Sequence, residues 1–355
     1  MYNPAGSHQD LTDFAGLVMK HALVTGGLGL IGSFITRQLL TSGLVDRVVA
    51  VDHFGRYINS IRPDFTDYRK LRLTGIEDQV IIERGDAKYP AIVFRLLERY
   101  RPELIFHLAA LPLAKLDNLN TGEAREGSVD STNHLLEAVG QIKERTGYCP
   151  QRFVYASSSM VYGNFVADVA TEEHPTAPVE IYGTMKLAGE VVTLGLGRYF
   201  GVPVSIVRPS AVYGPTDMNR RVSQIFIEKA LLGQKLNVQG ADEALDFTYV
   251  KDTANGFVLA SQRPEAVGEI FNITLGRAHT LLEYVQCLQR HFPGLEYEVT
   301  ARDAFRPRRG TLSIEKARRL LGYEPQYTLE RGLEEYVEFV REHHALAGSA
   351  LADAR

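Results

Sequence analysis

The segment Ala22-Leu-Val-Thr-Gly-Gly-Leu-Gly-Leu-Ile-Gly-Ser33 constrains this chain more than any other. A short apolar run breaks into a glycine-rich turn, and an amphipathic stretch, Phe34 to Leu40, follows. Glycine lets such a turn close without a Cβ clash and lets backbone N–H groups approach a phosphate. It also lets the following helix pack on the strand, with the positive end of its dipole toward the negative charge. The glycines satisfy two registers, G-x-G-x-x-G at Gly27, Gly29 and Gly32 and G-x-x-G-x-x-G at Gly26, Gly29 and Gly32. The next apolar run, Arg47-Val-Val-Ala-Val-Asp52, ends in a carboxylate twenty residues after Gly32, where a dinucleotide fold needs an acceptor for the adenosine ribose hydroxyls. A carboxylate there repels a 2′-phosphate, so Asp52 favours NAD over NADP, with Arg56 the residue that would soften the preference.

Composition sets few obstacles. A chain of 355 residues, 45% apolar, has room for one large or two modest domains, and its net charge of −4 with mixed signs gives no general field for nucleic acid or an anionic membrane. Cys149 and Cys287 stand far apart without metal-ligand spacing, so no metal is expected and a reducing cytoplasm is the expected setting. No apolar run is long enough to span a bilayer. Residues 1–19 read as an N-terminal extension.

Along the chain β-like runs alternate with helical ones, which predicts an α/β fold, a doubly wound parallel sheet covered on both faces. The expected strands are Val80 to Asp86, Leu104 to Ala110, Arg152 to Ser157 and Val202 to Arg208. A helix is expected over Glu123 to Lys143, with Val129, Leu135, Leu136 and Val139 on its apolar face. Beyond Pro209 the alternation loosens, predicting a smaller lobe that closes over the sheet edge. The expected division is a cofactor domain at 20–208, a C-terminal α/β substrate lobe at 209–345 with chain near 245–260 returning to the first domain, and a tail at 346–355.

Two segments carry chemistry. Ser157-Ser-Ser-Met-Val-Tyr-Gly163 directly follows a strand, and Tyr182-Gly-Thr-Met-Lys186 opens a helical stretch in which the i, i+4 spacing puts phenol and ammonium on one face. A phenol of pKa about 10 is a poor base at neutral pH, but a nearby cation favours the phenolate. Tyr182 is therefore a candidate proton acceptor and donor for a carbinol undergoing hydride transfer.

In order and spacing these segments resemble the extended short-chain dehydrogenase/reductase family, in particular its nucleotide-sugar epimerases and dehydratases such as the UDP-glucuronate and UDP-glucose 4-epimerases. The resemblance runs from about Lys20 to Phe339. It includes Thr25 to Gly32, Asp52, Asp86, His107-Leu-Ala-Ala110, Ser157 to Gly163, Tyr182 with Lys186, Val212-Tyr-Gly-Pro215, Asp246 to Asp252 and Lys316 to Tyr323. It implies a Rossmann sheet binding NAD: Gly26, Gly29, Leu30, Ile31 and Gly32 at the pyrophosphate, Asp52 and His53 at the adenosine ribose, and Asp86 with Ala87 at the adenine. Leu108, Ala109, Ala110 and Ser128 would lie on the nicotinamide side, with Ser210 near the carboxamide. Ser158, Tyr182 and Lys186 are the implied catalytic set, Tyr182 and Lys186 also touching the cofactor. Ser157 and Ser159 read as strand-end hydrogen bonders. The resemblance also implies a homodimer through a four-helix bundle formed by the Tyr182 helix and the Glu123 to Lys143 helix, with Leu187, Val191 and Leu194 on the apolar faces.

Relatives that eliminate water carry Asp-Glu where this chain has Ser159 and Met160, and decarboxylating relatives carry Glu at the second of these positions. The leading expectation is therefore a 4-epimerase that oxidises the C4 hydroxyl of a nucleotide sugar, UDP-linked, to a transient ketone and returns hydride to the opposite face. A net NAD-dependent dehydrogenase of a nucleotide sugar or small hydroxy acid is the alternative, and a non-catalytic NAD-binding regulatory protein is the reading from another class. Leu245, Ala211 and Ser128 replace an Arg and two Asn residues of the family pattern. Arg221 and Arg308 are the candidate substrate ligands, with Arg220, Arg306 and Arg309 nearby, because guanidinium forks suit phosphate and carboxylate oxygens.

Overall fold

The computed structural model describes residues 19–54, 67–110, 121–304 and 306–352, with side chains described to residue 343. Residues 1–18 and Arg56 lie outside the described residues.

Seven strands form the main sheet: β1 (His21–Thr25), β2 (Arg47–Asp52), β3 (Val80–Arg84), β4 (Leu104–His107), β5 (Arg152–Ala156), β6 (Val204–Pro209) and β7 (Ile270–Ile273). All pairings are parallel, in the order β7-β6-β5-β4-β1-β2-β3. The order reverses between β1 and β4, and the carboxyl ends of those two strands frame the crevice where such sheets bind ligands.

Strand alternation sends side chains to two cores. Ala22, Val24, Val48, Ala50, Phe106 and Val154 face helices α1 (Leu30–Thr41) and a later helix, Val250–Gln262. Leu23, Val49, Val51, Ile105, Phe153 and Tyr155 face the other side, against α2 (Pro90–Tyr100) and α3 (Ser131–Thr146), with α4 (Ile181–Phe200) adding Leu194, Leu196 and Phe200. The chain after Pro209 returns to this sheet as α5 (Val250–Gln262) beside α1, as β7 at the edge, and as the helix Glu315–Leu321, whose Ala317 and Leu321 join the same core. The strand is a departure from the loosened alternation read beyond Pro209. Ile270–Ile273 is only four residues long and largely buried, too short for periodicity to separate from a loop.

A separate core gathers Tyr213, Phe226, Leu236, Phe247, Tyr284, Leu333 and Tyr336 from the later chain, including helices Val222–Leu231, Leu281–Gln289 and Leu329–Ala352. Two-stranded pairings stitch it together, Leu236–Gln239 with Tyr297–Thr300 in parallel and Ala244–Leu245 with His279–Thr280 antiparallel.

The helix expected over Glu123 to Lys143 is interrupted. Thr121–Arg125 is α-helical, Glu126–Asp130 makes a wide π turn, and α3 resumes at Ser131. The extra residue in the turn rotates the face, so Ser128 is buried whereas Val129, expected on the apolar face, is half-buried. On α4, Leu187 packs against Val161 and Tyr162 and Leu194 against the sheet, while Val191 is 67% and Tyr199 80% exposed.

Candidate active site

The glycine turn is a cradle that side chains would fill. A Cβ on Gly32 would sit 2.3 Å from the Gly26 carbonyl oxygen, and one on Gly27 would meet Ala50 Cβ and the Val24 carbonyl at 2.8 Å. Gly26 adopts φ +69°, and its missing Cβ lets Leu108 and Ala109 at the end of β4 close against it. α1 starts in the turn itself, with Gly29 as N-cap, no side-chain cap and no acidic residue in its first turn. Its first N–H groups and dipole are thus left for an anion. Leu30 and Ile31 sit in that first turn.

Asp52 and Asp86 lie at the carboxyl ends of neighbouring β2 and β3. Asp52 Oδ1 accepts from the Phe54 N–H at 2.8 Å and Asp86 Oδ1 from the Lys88 N–H at 3.0 Å, so both carboxylates are pinned by short local turns. Ala87 is buried and His53 exposed beside them. At β1, Thr25 Oγ1 accepts from the Ala109 N–H at 3.1 Å and shares a 2.7 Å hydrogen bond with His107 Nδ1. His107 Nε2 meets the hydroxyls of Ser131 and Thr132 at 3.2 and 3.1 Å. Burial, with a smaller push from Lys186, takes His107 down to about 3, so it is neutral and serves as a hydrogen-bonding post.

At the end of β5, Ser158 caps a tight turn, Ser159–Tyr162, by accepting from the Met160 N–H at 3.2 Å. α4 brings up Tyr182 and Lys186. Gly183 allows this approach, since a Cβ there would lie 2.5 Å from the Met160 carbonyl oxygen. Lys186 is buried, donates to the Ala156 carbonyl at 2.7 Å, and stands 5.9 Å from the Tyr182 ring centre. Burial drives Lys186 down to about 7, opposed by Glu190. Burial raises the Tyr182 phenol, while Arg221 and a hydrogen bond with Ser158 pull it back. The sequence-expected Ser158, Tyr182 and Lys186 are therefore together.

The arginines are less uniform. Arg221 donates to the Val212 carbonyl at 3.0 Å and acts on Tyr182 across the site. Arg308 is exposed, its backbone N–H donating to Asn164 Oδ1 at 2.7 Å. Arg309 reaches inward instead, Nη1 lying 3.4 Å from Met160 Sδ, with its buried Nε lacking a hydrogen-bond partner. The buried Glu180 Oε2, just ahead of Tyr182, also lacks one, and the two charges act on each other. Ser210 is buried at the end of β6.

The sequence profile of the NAD-dependent epimerase/dehydratase family matches residues 22–274. The chain belongs to that family. The uncharacterized UDP-glucose epimerase YtcB of Bacillus subtilis is 28% identical over 90% of this chain and 97% of its own. A dTDP-glucose 4,6-dehydratase of Xanthomonas campestris is 30% identical over 88% and 90%. Among solved structures, UDP-glucuronic acid 4-epimerase from Bacillus cereus, in complex with UDP-glucuronic acid and NAD, superposes with a TM-score of 0.80 at 26% identity, covering 91% of this chain and 99% of that one. As an NAD-dependent enzyme of the epimerase/dehydratase family, the protein has residues that fit its cofactor: the cradle of Gly26, Gly27, Gly29 and Gly32 leaves room at uncapped N–H groups, and Asp52 terminates β2.

Residues that sequence reading did not assign lie just behind the catalytic set. Glu190, one turn below Lys186, receives Ser157 Oγ at 2.5 Å and the buried Arg208 guanidinium at 2.7 and 2.6 Å. Arg208 also donates to Tyr162 Oη at 2.9 Å, which donates to Asn272 Oδ1 at 2.7 Å. The spacing Tyr182, Lys186, Glu190 marks one helix face and was the available signal for Glu190. Arg208 carries no local signal. Among the described residues no cluster of His, Cys, Asp or Glu could hold a metal, and no helix is long and apolar enough to cross a membrane.

Proposed function

We propose that the protein is a 4-epimerase of a UDP-linked sugar, with UDP-glucuronate the first candidate. The observation that carries this reading is Met160: buried, it stands at the turn beside Ser158 where an eliminating enzyme would place an acid. The neighbouring carboxylate Glu190 is already committed to Ser157 and Arg208. Tyr182 accepts the C4 hydroxyl proton and later returns it, Ser158 holds the C4 oxygen by hydrogen bonding, and Lys186 and Arg221 stabilise the phenolate. NAD, when bound, supplies the acceptor and donor of hydride at C4. Residues Leu30, Ile31, Asp52, His53, Asp86, Ala87, Leu108, Ala109, Ala110, Ser128 and Ser210 hold it. Arg221 and Arg308 take the substrate's anionic groups. A homodimer is proposed through α3 and α4, supported by the exposed Val191 and Tyr199.

The test is incubation of purified protein with UDP-glucuronate and other nucleotide sugars without added NAD, with products resolved by NMR. A C4 epimer is the expected result. A 4-keto-6-deoxy product would make the enzyme a dehydratase, and NADH accumulating only with added NAD would make it a dehydrogenase.

A further inference from the structure

Arg72, in the short helix Arg69–Leu73, is buried and reaches two segments that come together only in three dimensions. Its Nη1 donates to the Leu28 carbonyl inside the glycine turn at 2.5 Å. Its Nε donates to Thr216 Oγ1 at 3.1 Å, and Nη2 to the Thr216 carbonyl. Thr216 sits at φ +69° in a loop where Ala211 and Arg220 are also left-handed, a backbone that needs outside support to persist. The same loop leads into Arg221, whose charge acts on Tyr182.

Other contacts run in parallel. The Tyr68 N–H lies 3.2 Å from Met218 Sδ, and Arg37 of α1 donates to the carbonyls of Arg72 and Thr74 at 3.1 and 2.9 Å. Leu30 of the cofactor turn packs with Val212 and Val250. Burial pushes Arg72 down to about 10, and the buried Asp217 carboxylate opposes that shift.

We propose that Arg72 is a positioning residue that clasps the pyrophosphate turn to the 211–221 loop, slowing NAD release and holding Arg221 toward Tyr182. Opening the turn away from the loop breaks charge-assisted hydrogen bonds in a buried place, and that cost is what slows release. This inference rests on the cofactor, not on which sugar reaction follows.

The experiment loads the full-length protein with isotopically labelled NAD, removes the excess, chases with unlabelled NAD and follows retained label without substrate. Arg72→Met is expected to release NAD at least about tenfold faster than the parent, measured well below the melting temperature of the variant, which falls because the Leu28 and Thr216 carbonyls lose their donor. Thr216→Gly keeps both carbonyl contacts and removes the hydroxyl and the left-handed strain, and about twofold to threefold faster release is expected. Parental release from a folded Arg72→Met protein would overturn the clasp. So would a parent that loses its label within the dead time. If Arg72→Met does not fold, the Thr216→Gly rate decides alone, an unchanged rate counting against the proposal.

Discussion

At the glycine turn, spacing is set by main chain against main chain, with a Gly32 Cβ placed 2.3 Å from a carbonyl oxygen; the arginines proposed for the substrate, Arg221 and Arg308, stand instead on long side chains in loop positions. Backbone cannot retreat from a clash, whereas an arginine can swing through several rotamers. The cofactor half should therefore respond to mutation in an all-or-none way, and the substrate half by degrees.

The largest effect belongs where the halves meet. Tyr182→Phe should lower kcat by about 10³-fold, roughly 4 kcal/mol, while NAD content in the purified protein stays at the parental level. Loss of NAD along with activity would break the separation, because the phenol would then belong to the cofactor half. Gly32→Ala comes next: it should destabilise the fold by about 3 kcal/mol in urea titration and leave the protein without bound NAD. Arg221→Met should cut kcat/KM about tenfold. Its removal raises the Tyr182 phenol further, so the acidic limb of the pH–rate profile should move to higher pH, with NAD binding preserved.

His107 gives a smaller test on the cofactor side. Unfolded, it takes a proton near 6.5; folded, burial keeps it neutral to about 3. The unfolded state therefore binds more protons across that window, and stability falls as pH falls, by up to about 1.4 kcal/mol per unit. Urea midpoints of His107→Gln between pH 4 and 7 should show a flatter dependence than the parent. Arg308→Ala should lower kcat/KM about threefold, less than Arg221→Met because that side chain is exposed and its charge screened, and an unchanged value would take Arg308 off the substrate.

The cofactor half was also the legible half. Gly26 to Gly32, the end of β2 and the Tyr182–Lys186 spacing are local patterns with fixed geometry, and each appears where the sequence put it. The hidden parts are tertiary. Arg72 meets Thr216 across 144 positions, and Tyr162 meets Asn272 across 110, so no window of sequence contains either pair. The π turn at Glu126–Asp130 was invisible for another reason: 3.6-residue periodicity presumes a regular helix, and one added residue turns Ser128 inward. Arg308 and Arg309 differ only in which neighbour points inward, a choice made by the loop rather than by residue type.

Ala211 stands at φ +36°, in left-handed territory that costs an alanine roughly 1–2 kcal/mol and that asparagine tolerates better. The family resemblance leads one to expect Asn there, and this chain makes the bend without the amide. The bend at Ala211 is therefore held by its surroundings and not by its own residue type, Arg221 Nη1 donating to the neighbouring Val212 carbonyl among them.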